Sequence, residues 1–149
     1  MNINNYVSAL NQSGARSVSQ SRPSLLSALD DVKYQVEFEA FGRLMTTRDG
    51  SRVVYVDPIF QELCLIIAEV FVMHPDCVIK VAKTDLCSSL VYEVFKQLTN
   101  EHLQMVYDNF KAVQTKIHNK KSYLRTALYN AVFEHNAHYT NALQADYHS

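Results

Sequence analysis

The sequence has no tryptophan, and only three glycines, three prolines and three cysteines among its 149 residues. Three glycines leave no G-x-x-x-x-G-K-S/T loop to cradle a phosphate, and neither G-x-S-x-G nor H-E-x-x-H occurs. Cys64, Cys77 and Cys87 are odd in number and lack C-x-x-C spacing, which argues against a disulfide framework and a zinc site and fits a reducing cytosol. Each stands beside apolar residues and is expected to be a small core side chain rather than a nucleophile. The opening MNINNYVSALNQSG has neither the basic nor the apolar part of a secretion signal. The longest apolar run, residues 64–73, is broken by Glu69, so no membrane span and a cytoplasmic location are expected. A net charge of −1 gives no overall attraction to nucleic acid or anionic lipid, and electrostatic binding would need a local patch.

What the sequence does have is apolar and aromatic. Hydrophobic residues make up 48% of it, with nine Tyr and seven Phe, and a chain of this size buries roughly two thirds of the surface it exposes when unfolded. The expected fold is mainly α: a flexible arm over 1–24, where NQSGARSVSQSRPS offers little to bury, then one compact helical domain over 25–149 with a minor N-terminal β element. Val32, Tyr34, Val36 and Phe38 alternate with polar residues as in a strand, whereas Phe38, Phe41, Leu44 and Met45 have helical spacing, so 32–46 reads both ways. Arg48-Asp49-Gly50-Ser51 reads as a turn and Val53–Val56 as a short returning strand.

Asp57-Pro58 marks a helix start, and the following run continues to His74-Pro75, where proline stops it. Cys77–Val81 reads as a short extended piece, after which Asp85 opens a helix whose apolar stripe is Leu86, Leu90, Val91, Val94, Phe95 and Leu98. Thr99 or Asn100 caps the next helix, with Leu103, Val106, Tyr107, Phe110 and Val113 inward. A final helix runs from after Asn119 to about Tyr147, burying Tyr123, Leu124, Ala127, Leu128, Ala131 and Val132.

Two charge clusters are candidate binding sites. Between Asn109 and Phe133 stand Lys111, Lys116, Lys120, Lys121 and Arg125 with no acid among them; such a cluster can track phosphates or a partner, and equally can be the solvent face of two helices. Asp30, Asp31, Glu37 and Glu39 fall within ten residues and suit a basic partner, or else guard a strand edge against aggregation. His135 and His138, three apart, are too few ligands for a metal; His102, in a first helical turn, reads as capping or surface; His74 reads as a loop residue. Tyr123, Tyr129, Tyr139, Phe110 and Phe133 are base-stacking candidates if exposed, and core residues at helical spacing otherwise. No nucleophile or ligand set is complete, so no catalysis, metal or cofactor is expected.

The segment Phe95–Ala131, FKQLTNEHLQMVYDNFKAVQTKIHNKKSYLRTALYNA, resembles the C-terminal domain of the replication initiator protein A family of Firmicute plasmids and conjugative elements. The resemblance rests on Phe95, Leu98, His102, Val106, Thr115, Lys116, Asn119, Lys121, Tyr123, Leu124 and the run Thr126 to Ala131, and extends more weakly over residues 60–147. That family usually has Pro after the final Ala, where this chain has Val132 and the helix continues. The resemblance divides the domain into a divergent part, 25–58, and an initiator-like part, 59–149. It offers no counterpart for the initiator's winged-helix domain.

What the resemblance implies is a non-enzymatic protein-interaction module of a mobile genetic element, tied to replication and maintenance and binding a replication protein. An anti-CRISPR inhibitor that binds a Cas9-type nuclease directly is the alternative. A nucleic-acid-binding regulator using the basic cluster is the third.

Overall fold

Asp57 and Pro58 begin the helix around which the others are arranged. Pro58 supplies a helical φ and has no amide to leave unbonded, while the Asp57 carboxylate accepts from the Ile59 amide at 3.0 Å. The computed structural model describes the backbone of residues 23–148 and the side chains of residues 23–134. Helix α1 (Leu25–Gln35) and a 3₁₀ turn (Phe38–Phe41) lead into an antiparallel hairpin, β1 (Arg43–Thr46) and β2 (Arg52–Tyr55). Then come α2 (Pro58–Phe71), a second hairpin of β3 (Val78–Val81) and β4 (Thr84–Cys87), α3 (Ser88–Phe95), α4 (Asn100–Val113), a 3₁₀ turn (Gln114–Lys116) and α5 (Lys120–His148).

The architecture is mostly α, and α2 touches α1, α3, α4 and α5. Ile59, Phe60, Leu63, Cys64, Ile66, Ile67, Ala68 and Val70 of α2 are all buried; at 100° per residue they span about 200° of the helix, leaving a strip of Gln61, Glu62, Leu65 and Glu69. Leu103, Val106 and Phe110 of α4 and Leu124, Leu128, Ala131 and Val132 of α5 face into the same core, with Tyr107 and Tyr123 half-buried at its margin. These inward faces follow the 3.6-residue period read from the sequence.

Four expectations change. The alternation from Val32 to Phe38 is helical as far as Gln35: Val32 and Val36, four apart, point inward with Ala28 and Leu29, while Tyr34 on the far side is 89% exposed. Glu37, in the left-handed region at φ 54°, turns the chain out of the helix. Strand structure is not confined to the N-terminal part, because a second hairpin occupies 78–87. Asp85 does not open a helix; it sits in β4, its carboxylate 2.9 Å from Lys80 Nζ across the hairpin, and α3 starts at Ser88. Leu90 is exposed rather than inward, and Leu86 is a partly buried strand residue.

The second hairpin lacks the usual turn residues. Ala82 and Lys83 both adopt positive φ, 52° and 69°, where asparagine or glycine would be expected. The cost, of order 1 kcal/mol per residue, is offset from α5: Thr126 Oγ1 accepts from the Ala82 amide at 3.1 Å, and Arg125 Nη1 donates to the Lys80 carbonyl at 3.3 Å. A reciprocal pair of amides ties the N-terminal segment to the rest. Gln35 Nε2 reaches the carbonyls of Phe95 and Leu98 at 3.1 and 2.8 Å, satisfying the end of α3, and Asn100 Nδ2 reaches the Val36 carbonyl at 3.0 Å, satisfying the end of α1. At the start of α4, Thr99 donates its amide to Nδ1 of the buried His102 at 2.9 Å, which makes His102 a capping residue.

Leu128→Ala is expected to cost about 2–5 kcal/mol by opening a cavity between α4 and α5, read as a shift of denaturant midpoint. Lys83→Gly should act in the opposite sense, stabilising by about 0.5–1 kcal/mol because glycine tolerates positive φ; an unchanged melting temperature would show that the turn carries no strain.

Candidate functional site

The acid-free basic segment proves to be acid-free only along the chain. Across space, α2 and its N-cap supply the carboxylates: Lys120 Nζ lies 3.0 Å from Glu62 Oε2, Lys121 Nζ 2.8 Å from Glu69 Oε1, and Lys111 Nζ 3.7 Å from Asp57 Oδ2. Arg125 is engaged with the Lys80 carbonyl. Lys116, in the 3₁₀ turn, is exposed and joins no ion pair among the described residues. Such half-exposed pairs add little stability, but they cancel the field that a phosphate backbone would feel.

Asp30 and Asp31 lie on the outward face of α1, which also carries Leu26 and Tyr34; the Leu26, Asp30, Tyr34 series is spaced four apart. Glu37 and Glu39 follow on the turn and are exposed as well. Among the described residues no ion pair engages any of the four. Among the described residues the acidic cluster is thus unpaired where the basic one is largely internally paired.

The feature that sequence reasoning missed lies between these clusters. Every residue of β1 and β2 is exposed, yet the hairpin is rich in apolar side chains. Leu44 pairs with Val54 on one face, Met45 with Val53 and Arg43 with Tyr55 on the other. Arg48 and Arg52 add positive charge at the tip and on the Val54 strand. A two-stranded sheet that no described residue covers is marginal, and this one is held at both ends. At the tip, the Thr47 and Ser51 hydroxyls and the Ser51 amide all donate to Asp49, holding its carboxyl down at about 2, and Gly50 takes the left-handed conformation at φ 91°. At the root, a Cβ on Gly42 would come within 2.6 Å of Val54 Cγ1 and 3.3 Å of the Glu39 carbonyl, so a larger residue there would have to displace the Val54 side chain. The sequence signal was available: Val53, Val54 and Tyr55 in succession leave apolar groups on both faces of any strand.

Below the root runs an aromatic stack. Phe41 lies on Phe60 at 3.9 Å between centroids and 10° between planes, Phe60 on Tyr107 at 4.4 Å and 23°, and Phe38 meets Phe41 edge-on at 6.3 Å. Lys33 and Lys111 sit over its two ends, 4.6 and 5.7 Å from the Phe38 and Tyr107 rings. Tyr107 donates its hydroxyl to Asp57 Oδ2 at 2.8 Å. Burial raises the Asp57 carboxyl, but the Ile59 amide, the Tyr107 hydroxyl and the Lys111 ammonium outweigh it and hold the group below its ordinary value. The bond to Asp57, burial and the Asp57 charge push the Tyr107 phenol up. A cleft of about 370 Å³ beside this pair is lined by Arg43 as well as by Asp57 and Asp108, and so presents no single sign of charge.

Of the cysteines, Cys64 is in the core, its thiol pushed up to about 12 by burial. Cys77 and Cys87 are exposed, contrary to the expectation of core side chains: Cys77 precedes the β3–β4 hairpin and Cys87 ends it, where the sequence predicts a helix from Asp85. The Ser89 hydroxyl and amide lower the Cys87 thiol. Among the described residues no group of three or more His, Cys, Asp or Glu side chains is placed to hold a metal; the side chains of His135, His138 and Tyr139 lie outside the described residues. Of the stacking candidates, Phe110 is buried and Tyr123 and Tyr129 are half-buried, which leaves only Phe133 broadly exposed among those described. No described helix is long and apolar enough to cross a membrane.

A helical scaffold presenting one apolar hairpin is thus the class that fold and site define. The chain belongs to a family of unknown function, DUF6017, whose model matches residues 32–149 and so takes in the β1–β2 hairpin and α2 to α5, with only the last turn of α1. No curated protein matches the chain, and no solved structure does.

Two measurements check this geometry. Thiol labelling of the native protein should modify Cys87 fastest, Cys77 next, and Cys64 only after unfolding. Tyr107→Phe should cost about 1 kcal/mol near neutral pH. Because the Asp57 carboxyl is depressed on folding, the stability it brings is present above its unfolded value near 3.8 and is lost as pH falls through the lower folded one. The gap between Tyr107→Phe and the parent should accordingly close in acid; a gap independent of pH would show that the hydroxyl does not act through the Asp57 charge.

Proposed function

We propose that this chain is a non-enzymatic protein-interaction module of a mobile genetic element, acting in plasmid or conjugative-element replication and maintenance. The observation that carries the interaction role is the β1–β2 hairpin, whose Leu44 and Val54 are 58% and 69% exposed on a rigidly anchored two-stranded sheet. An apolar ribbon of this kind, rimmed by arginine, has the composition of a protein-binding surface. The link to replication comes from the resemblance of Phe95–Ala131 to the initiator's C-terminal domain. The pairing of Lys111, Lys120 and Lys121 with carboxylates of α2 and its N-cap weighs against the nucleic-acid-binding regulator.

The second reading, an inhibitor of a Cas9-type nuclease, draws support from Asp30, Asp31, Glu37 and Glu39, a solvent-facing acidic group of the kind that suits a basic nucleic-acid channel. Three assays separate the readings: plasmid retention in a host, cleavage by a purified Cas9-type nuclease, and a DNA mobility shift. Leu44→Asp/Val54→Asp should lower plasmid retention to the level of a deletion. Charge reversal of the four acids should abolish nuclease inhibition if the second reading holds. Retention that survives the hairpin change but falls on reversal of Lys116 and its basic neighbours, together with salt-sensitive DNA binding by the parent, would reject the interaction reading.

A further inference from the structure

We infer that two copies of this chain associate reciprocally, the β1–β2 hairpin of each lying along the outward face of α1 of the other. The inference rests on reading the hairpin as a docking surface and names its occupant.

Both halves of the interface are present in the one chain and are chemically complementary. The hairpin face carrying Leu44 and Val54 also carries Arg52, with Arg48 at the adjoining tip. The outward face of α1 carries Leu26, 73% exposed, and Tyr34, 89% exposed, beside Asp30 and Asp31. Apolar groups and arginines on one surface meet apolar groups and aspartates on the other. Among the described residues none of these four charges is engaged in an ion pair. Within one protomer the two surfaces do not cover each other, because both are exposed and the 3₁₀ turn Phe38–Phe41, fixed by its stack on Phe60, intervenes between them. A second copy supplies the missing cover twice over, since a two-fold axis turns one hairpin-to-helix contact into two.

The geometry allows a charge-exchange test on the full chain. Sedimentation velocity should show the parent as a dimer that weakens with salt. Arg48→Glu/Arg52→Glu leaves hairpin and α1 both negative, and Asp30→Lys/Asp31→Lys leaves both positive; each variant should dissociate at least about tenfold more readily than the parent. Mixed in equal amounts, they should form a heterodimer, because each of its two contacts again joins opposite charges. Matching circular dichroism melts for the parent and the two variants would show that the fold is retained. A parent that stays monomeric, variants that dimerise as the parent does, or a mixture that forms no heterodimer would each overturn the inference. If the parent is monomeric while Leu44→Asp/Val54→Asp still abolishes plasmid retention, the reciprocal dimer fails and the interaction module stands. If that variant retains plasmids fully, the module reading fails on its own account.

Discussion

One constraint organises this fold: α2 is apolar over more than half its circumference and has to be covered from several directions at once. No single neighbouring helix can cover about 200° of surface. α1, α3, α4 and α5 therefore gather around it, and their inward faces are set by which part of α2 each covers. The strip left over bears Glu62 and Glu69, and it is against these that Lys120 and Lys121 at the start of α5 come to rest. The charge pattern of the surface is thus a consequence of how the core is closed.

This accounts for what was legible in the sequence. Helix starts are local events, so Asp57-Pro58 and Thr99 identified theirs, and the 3.6-residue period picked out buried residues of α4 and α5. The stretch from Val32 to Phe38 was ambiguous because a four-residue spacing is also an even one, and Val32 and Val36 satisfy strand and helix alike. The basic cluster misled for a different reason. Its counter-charges are some fifty residues earlier in the chain, and only the packing of α5 on α2 brings them together. For the candidate site, the acidic group could be read directly because nothing in the described structure covers it. The hairpin could not, since a run such as Arg-Val-Val-Tyr does not say which face the core will take, and here the core takes neither.

The two hairpins divide the labour between inside and outside. β3 places Ile79 and Val81 in the core and is fastened by α5, whereas β1–β2 exposes all its residues and, among the described residues, is fastened at its tip and root. The aromatic stack from Phe41 through Phe60 to Tyr107 packs the 3₁₀ turn before that root against α2 and α4. A surface held in this way loses little conformational freedom when it is covered, which is what a binding edge requires.

The strained Ala82-Lys83 turn also bears on the order in which the chain assembles. A reversal that both of its residues disfavour is weakened as a free segment, and the oxygen that accepts its amide is on Thr126, 44 residues further along. The contact that closes the β3–β4 turn is therefore non-local, and such a contact repays the ordering of the chain only after the intervening α3 and α4 have brought α5 alongside.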